Sequence, residues 1–135
     1  MADSDLVIDS DVVIDFLRRK SNTLLEALTH YRGHITVITI FEIEVSAIRS
    51  VRQGQRFDQL LQWVTVLPLD VTAARQAAAI ERTLQQQGQI IGIRDTFIAG
   101  ICLAQQMPLL TRNTKHFERV EGLQVVTPAD LTTSS

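Results

Sequence analysis

The sequence predicts an α/β domain of three layers, with helices on both faces of a short central parallel sheet of four to five strands. Three observations carry that expectation. Short apolar runs rich in β-branched residues, Leu6-Val7-Ile8 and the stretch 35–38 among them, have the continuous hydrophobicity of strands buried on both faces. Between the runs lie longer segments whose apolar residues recur at helical spacing, and strands that alternate with helices pair in parallel. Finally, 135 residues of which 45% are hydrophobic supply one core, so residues 1–135 are read as a single domain.

The elements follow in order. Leu6-Val7-Ile8 is the first strand and ends at Asp9. Ser10 or Asp11 caps a helix through Val12, Val13, Phe16 and Leu17, closed by Arg18, Arg19 and Lys20, cations suited to a helix C-terminus. Ser21 or Asn22 caps a second helix, with Leu24, Leu25 and Leu28 on its apolar face and Gly33 as its stop. Residues 35–38 make the second strand. Thr39 caps a third helix to about Gly54, a fourth covers 57–65, and 66–69 is extended. Asp70 caps the longest helix, 71–87, where Ala74, Ala77, Ala78, Ile80 and Leu84 supply the apolar side and Gly88 ends it. A helix over 95–106 is stopped by Pro108. A strand at 109–110, a helical turn at 113–117 and a strand at 123–126 follow, and Thr127-Pro128 reads as the N-cap and first residue of a final turn.

Several function classes are excluded. No run of eighteen apolar residues exists, so no membrane-spanning helix is expected. The acidic start lacks the basic-then-apolar order of a signal peptide, and a single cysteine, Cys102, forms no internal disulfide; a reducing, cytoplasmic setting is expected. Cys102 lies on an apolar helix face and reads as inert core. Trp63 and Phe97 are also expected in the core. His30, His34 and His116 share no spacing and are expected on the surface, and no Ser/His/Asp or Cys/His set stands out.

Charge is less simple. Fifteen acids against thirteen bases give a net of -2, which argues against nucleic-acid binding by bulk electrostatics. Yet Lys20 and Lys115 are the only lysines, and the other eleven bases are arginines, the residue suited to planar recognition of phosphate.

In open parallel sheets ligands bind beyond the carboxyl ends of the strands, and four acids fall there on this reading. Asp9 ends the first strand, where an unpaired charge is expensive. Asp11 follows, as a ligand or a helix cap. Asp15, one turn on, is expected to pair with Arg18 or Arg19. Glu42 lies in the first turn after the second strand; Glu44, two residues on, faces nearly the opposite way, so the two cannot share a pocket. Asp95 opens a late helix in line with Ile98, Ala99 and Cys102, and is either an N-cap or has a partner such as a metal. Converging carboxylates suit magnesium or manganese. Such an ion activates water for phosphoryl displacement without a protein nucleophile.

Taken together the motifs resemble those of PIN-domain ribonucleases, in particular VapC-type toxins of toxin–antitoxin pairs. The segment from Leu6-Val7-Ile8-Asp9-Ser10-Asp11 into Val12-Val13-Ile14-Asp15-Phe16-Leu17 is similar to the opening signature of that family, a strand, Asp-Thr-Asn and an apolar helix. Ile38-Thr39-Ile40-Phe41-Glu42 resembles its second motif, which singles out Glu42 over Glu44. Gly92-Ile93-Arg94-Asp95-Thr96-Phe97 is similar to the third and Leu110-Thr111-Arg112-Asn113-Thr114-Lys115-His116-Phe117 to the last, the likeness running from Leu6 to Leu131. It implies Asp9, Glu42 and Asp95 as catalytic and metal-holding acids, with Asp11 and Asn113 as further ligands to Mg2+ or Mn2+. Ser10, Thr111 and Arg112 then help to hold the ion or a phosphate of an RNA substrate. It further implies a homodimer, and inhibition by a cognate antitoxin that lays a peptide along the groove and inserts a basic side chain among the acids. Two positions depart from the pattern. Asp11 stands where Asn is usual and Asn113 where a fourth acid is common, so one tightly held ion is expected.

Two other readings compete. Val7-Ile8-Asp9-Ser10-Asp11 is also similar to the start of haloacid-dehalogenase-type phosphatases, in which Asp9 would be the covalent nucleophile and Asp11 the general acid. That reading lacks a late acidic pair and a suitable context for Lys115. The other is a PIN-like scaffold that binds RNA or a partner without cutting it. Setting aside Asp9, Asp11, Glu42 and Asp95 leaves eleven acids against thirteen bases. Arg18, Arg19, Arg49, Arg52 and Arg112 are therefore expected to share a phosphate-facing surface.

Overall fold

A computed structural model describes residues 4–132, so the very start of the acidic N-terminus lies outside the described residues. Strands β1 (Ser4–Ile8), β2 (Tyr31–Thr36), β3 (Thr65–Leu67), β4 (Leu109–Leu110) and β5 (Val125–Val126) form one sheet in the order β3-β2-β1-β4-β5, and every pairing is parallel. Alternation along β1 sorts its side chains. Leu6 and Ile8 join one apolar cluster and Val7 the other, all fully buried. The first cluster is closed by α1 (Ser10–Leu17), α2 (Thr23–His30), α3 (Val37–Ser46), α4 (Val51–Leu61) and α8 (Pro128–Thr132). The second is closed by α5 (Val71–Gln86), α6 (Ile93–Gln105) and α7 (Thr114–Phe117). The three-layer α/β/α arrangement expected from the strand and helix alternation is the one observed.

Several boundaries move. Gly33 does not stop α2; that helix ends at His30 and Gly33 sits buried inside β2. A β-carbon there would collide with Leu28 Cδ2, so the glycine lets α2 lie close on the sheet. Thr36, not Thr39, caps α3, accepting the Thr39 backbone N–H at 3.1 Å. The expected long third helix breaks after Ser46, and α4 starts with its own cap, Ser50, which accepts from Gln53 N at 3.1 Å. Helix α6 begins at Ile93 behind Gly92, placing Asp95 inside the first turn and not at the cap. On α5 the buried face is Ala73, Ala77, Ile80 and Leu84, while Ala74 and Ala78 face solvent. Trp63 is 56% exposed at the end of α4, contrary to its expected place in the core.

Helices α5 and α6 pack closely enough that Gly100 has no room for a side chain. A β-carbon would lie 2.7 Å from Ala73 O and 2.8 Å from both Ala77 N and Ala77 Cβ. Alanine would gain about 1 kcal/mol of helix propensity, but forcing two backbones apart costs on the order of 1–3 kcal/mol or more. Gly100→Ala is therefore expected to destabilise the chain by about 2 kcal/mol, read as a lower urea midpoint; an unchanged or higher midpoint would contradict this packing.

Candidate active site

The strand order places the site. The chain fills the sheet outward from β1 through β2 to β3, then returns to the other side of β1 for β4 and β5. Neighbouring crossovers therefore diverge between β1 and β4, leaving a crevice at their carboxyl ends. Asp9 follows β1 and Thr111 follows β4 at this point, and Thr111 Oγ1 donates to Asp9 Oδ2 at 2.7 Å across 102 residues of chain.

Asp9 is only 4% exposed. It serves as the N-cap of α1, where Ser10 N donates to its Oδ1 at 2.8 Å; neither Ser10 nor Asp11 takes that place. Burial pushes its carboxyl up to about 7, with the nearby Asp11 charge adding to the effect and the Thr111 hydrogen bond opposing it. Asp11 stands a half-turn on. Its Oδ2 accepts the Arg112 backbone N–H at 3.0 Å, while Oδ1 is buried with no hydrogen-bond partner. Burial raises its pKa as well.

Glu42 projects from the second turn of α3, later than expected because the helix begins at Val37. It is half-buried, raised by burial and by the charge of Asp95, and its Oε1 has no hydrogen-bond partner. Glu44 is exposed. A shared field of Asp95 on both Asp9 and Glu42 ties the acids of β1, α3 and α6 into one electrostatic unit. Ser10, which opens α1, turns its hydroxyl towards Asp9 Oδ1 at 3.5 Å.

Asp95 is held from β4's side of the crevice. His116 Nδ1 stands 2.8 Å from Asp95 Oδ2, and Asn113 Nδ2 donates to the same oxygen at 3.4 Å. His116 is thus part of the site and not the plain surface histidine expected of it. Its one readable signal is the i, i+3 spacing from Asn113, which a single helical turn brings to one side. His34 is likewise buried, bonded through Nε2 to Asp5 Oδ1 at 2.9 Å, at the opposite end of β1. Asn113 also donates its backbone N–H to Thr111 Oγ1 at 2.9 Å, so Thr111 links Asp9 to the Asn113 loop.

Asp15 pairs with the guanidinium of Arg112, not with Arg18 or Arg19. That contact holds Arg112 at the rim beside Asp11. Arg56, from α4, donates to Phe16 O at 3.1 Å, and the charge of Arg19 beside it helps lower its pKa, after burial. Arg112 and Arg19 thus both border α1, while Arg49 and Arg52 are exposed around the start of α4. Cys102 is buried in the second cluster, its thiol pushed far up by burial, and takes no part.

Among the described residues no three acid, histidine or cysteine side chains already form a closed metal cage. The donor set nevertheless fits a hard divalent cation. Carboxylates from three elements converge, the buried oxygens Asp11 Oδ1 and Glu42 Oε1 lack any partner in the protein, and Asp9 resists ionising in their company. A cation in the crevice would offset the cost of burying such carboxylates.

Comparison with known proteins agrees with the fold. The pattern of the PIN domain family matches residues 6–123. The ribonuclease VapC1 of Rickettsia felis is 30% identical over 129 residues, covering 90% of this chain and 95% of that protein. A toxin–antitoxin complex from Klebsiella pneumoniae contains a chain of 26% identity with a TM-score of 0.72, covering 91% of this chain and 97% of that one. DNA-bound VapBC from Salmonella typhimurium superposes with a TM-score of 0.82 at 23% identity, covering 93% of this chain and 99% of its counterpart. With the family pattern covering residues 6–123 and a VapC ribonuclease 30% identical over nearly the whole chain, the chain belongs to the PIN domain family, among its VapC-type ribonucleases.

Proposed function

We propose that this chain is a divalent-metal-dependent endoribonuclease, the toxin of a toxin–antitoxin pair acting in the cytoplasm. The observation that carries the reading is the group of acids at the β1/β4 switch point with two buried, partnerless carboxylate oxygens. Magnesium or manganese bound there would supply an activated water and neutralise charge on the scissile phosphate. Asp9, Glu42 and Asp95 would hold it, with Asp11 and Asn113 beside them. Thr111 and Ser10 fix the two oxygens of the Asp9 carboxylate, and Arg112 stands at the rim where an RNA phosphate enters. Asp9 is buried as the cap of α1, which suits a ligand better than the exposed nucleophile a phosphatase would need.

Membership of the VapC group and the likeness to a toxin–antitoxin complex support a cognate antitoxin. An acidic crevice rimmed by Arg112 suits capture of a basic side chain from such a partner. Expression of the chain alone should arrest growth, Asp9→Asn should abolish the arrest, and the product of the neighbouring gene should relieve it. Growth indifferent to all three would refute the toxin assignment. Cleavage of RNA by the purified chain should stop with EDTA and return with excess Mn2+. A chain that binds RNA but neither cleaves it nor binds Mn2+ would be the scaffold instead.

A homodimer completes the reading. Val37, Phe41 and Val45 recur every fourth residue on α3 and are exposed, Phe41 by 53% with the Arg94 guanidinium 5.1 Å above its ring. An exposed apolar helical stripe beside the site marks an interaction surface. Phe41→Glu should halve the mass seen by light scattering at micromolar concentration while leaving the circular dichroism unchanged. A wild type already monomeric under those conditions would dispose of the dimer.

A further inference from the structure

Helix α7 is a single turn, and it puts two nitrogen-bearing side chains against Asp95. Asn113 occupies its N-cap position yet makes no capping hydrogen bond with its side chain, although Asn is among the residues best suited to that work. Its amide is turned instead to His116 Nδ1 at 3.0 Å and to Asp95 Oδ2 at 3.4 Å. The third side of the triangle, His116 Nδ1 to Asp95 Oδ2, is 2.8 Å. Phe117, fully buried in the second cluster, anchors the turn and with it the position of His116.

The triangle has the dimensions of a coordination facet. Ligand atoms about 2.1 Å from an octahedral ion and at right angles to one another lie about 3.0 Å apart. The three observed edges bracket that distance. The amide atom now facing the facet is Nδ2, and a half-turn about the last side-chain bond presents Oδ1 in its place. In the contact with Asp95 Oδ2 the imidazole Nδ1–H donates; on a ring 39% exposed the proton can pass to Nε2 when a cation takes its place, which turns the Nδ1 lone pair inward. Through Thr111, which accepts from Asn113 N and donates to Asp9, the facet is fixed to the carboxylates at the end of β1.

We propose that His116 is a direct nitrogen donor to the divalent cation, forming with Asp95 and Asn113 one facet of its shell, so that the site selects manganese over magnesium. The inference rests on the metal-dependent reading above and deepens it. An all-oxygen set suits magnesium, whereas an imidazole in the shell favours ions that accept nitrogen, manganese before magnesium. It also gives Asn113 a purpose. Where a carboxylate is replaced by an amide, a neighbouring nitrogen restores part of the lost donor strength.

The test is pulsed electron paramagnetic resonance of Mn2+ bound to the full chain at pH 8. Echo-envelope modulation from a directly bound 14N is expected in the wild type, is expected to change to the 15N pattern on 15N-histidine labelling, and should vanish in His116→Gln while persisting in His30→Gln. Calorimetry should show the Mn2+ over Mg2+ preference falling about tenfold or more in His116→Gln. Mn2+ bound without nitrogen modulation, or with modulation that survives His116→Gln, would overturn the assignment of His116 and leave the metal-dependent reading standing. A wild-type chain that binds no Mn2+ at millimolar concentration would overturn both.

Discussion

Replacing Asp9 with asparagine is expected to abolish RNA cleavage and, at the same time, to make the metal-free chain more stable. The activity loss should exceed about a hundredfold, the most that removing a mere supporting contact to a metal ligand usually costs. The stability gain follows from burial. In the folded metal-free chain Asp9 holds its proton to about pH 7, against an ordinary value of 3.8. Between those limits the folded state binds more protons than the unfolded one, so the stability that protonated Asp9 contributes is complete below about pH 4 and is lost as pH rises towards 7. The difference amounts to about 4 kcal/mol, and asparagine, which never ionises, escapes it. Thermal unfolding of Asp9→Asn in EDTA should show a midpoint on the order of 10 °C above wild type at pH 8 and nearly the same midpoint at pH 4. A variant less stable than wild type at pH 8 would show that Asp9 is a structural cap and nothing more. The same proton must leave before a cation binds, so Mn2+ affinity of the wild type should fall steadily below pH 7.

Thr111→Val is the second change with a large expected effect, although Thr111 need not touch substrate. Its hydroxyl is fully buried, donates to Asp9 Oδ2 at 2.7 Å and accepts from Asn113 N at 2.9 Å. Valine keeps the shape and removes both bonds, leaving a buried carboxylate oxygen and a backbone N–H unsatisfied. The expected loss is about 2 kcal/mol of stability at pH 8. The more telling readout is the pH profile. Thr111 opposes the upward pull of burial on Asp9, so without it the carboxyl ionises at still higher pH. A hydrogen bond to a charged group is worth about 1.5–3 kcal/mol, which moves the acid limb of the cleavage profile up by about one to two pH units. If the limb stays in place while the rate falls, Thr111 supports the fold and not the ionisation of Asp9.

The two expectations share one physical origin. A buried carboxylate surrounded by other carboxylates is unfavourable for folding and favourable for holding a cation. Asp9 carries most of that conflict because β1 is the central strand, and its end is covered from both sides by α1 and by the loop after β4. Glu42 and Asp11 are less deeply buried and are raised in the same direction.

What the sequence determined is what local periodicity can determine. Two-residue alternation assigns Leu6 and Ile8 to one layer and Val7 to the other, and continuous apolar runs identify strands covered on both faces. Asp70 caps α5 as read, accepting Ala73 N at 2.9 Å, because a cap is set by three neighbouring residues. The order of the acids along the chain was legible for the same reason, and their family motifs with it. Boundaries were less so. Gly33 reads locally as a helix stop, but its place was decided by how near α2 lies to the sheet.

Only the tertiary structure decided which side chains meet. Glu42 and Glu44 sit in equally apolar surroundings in sequence, and it is the contact of α3 with α6 that turns Glu42 towards Asp95 and leaves Glu44 in solvent. Arg112 has nearer charges along the chain than Asp15, yet the switch between β1 and β4 brings the loop after β4 against α1. The spacing of His116 from Asn113 puts the two on one side of a turn, but not against Asp95, 21 residues away. Helix and strand periods act over a few residues, whereas a site built from four crossovers joins groups up to 102 residues apart. Such distances are closed by the packing of the sheet and its two helical layers, and by nothing that neighbouring residues can encode.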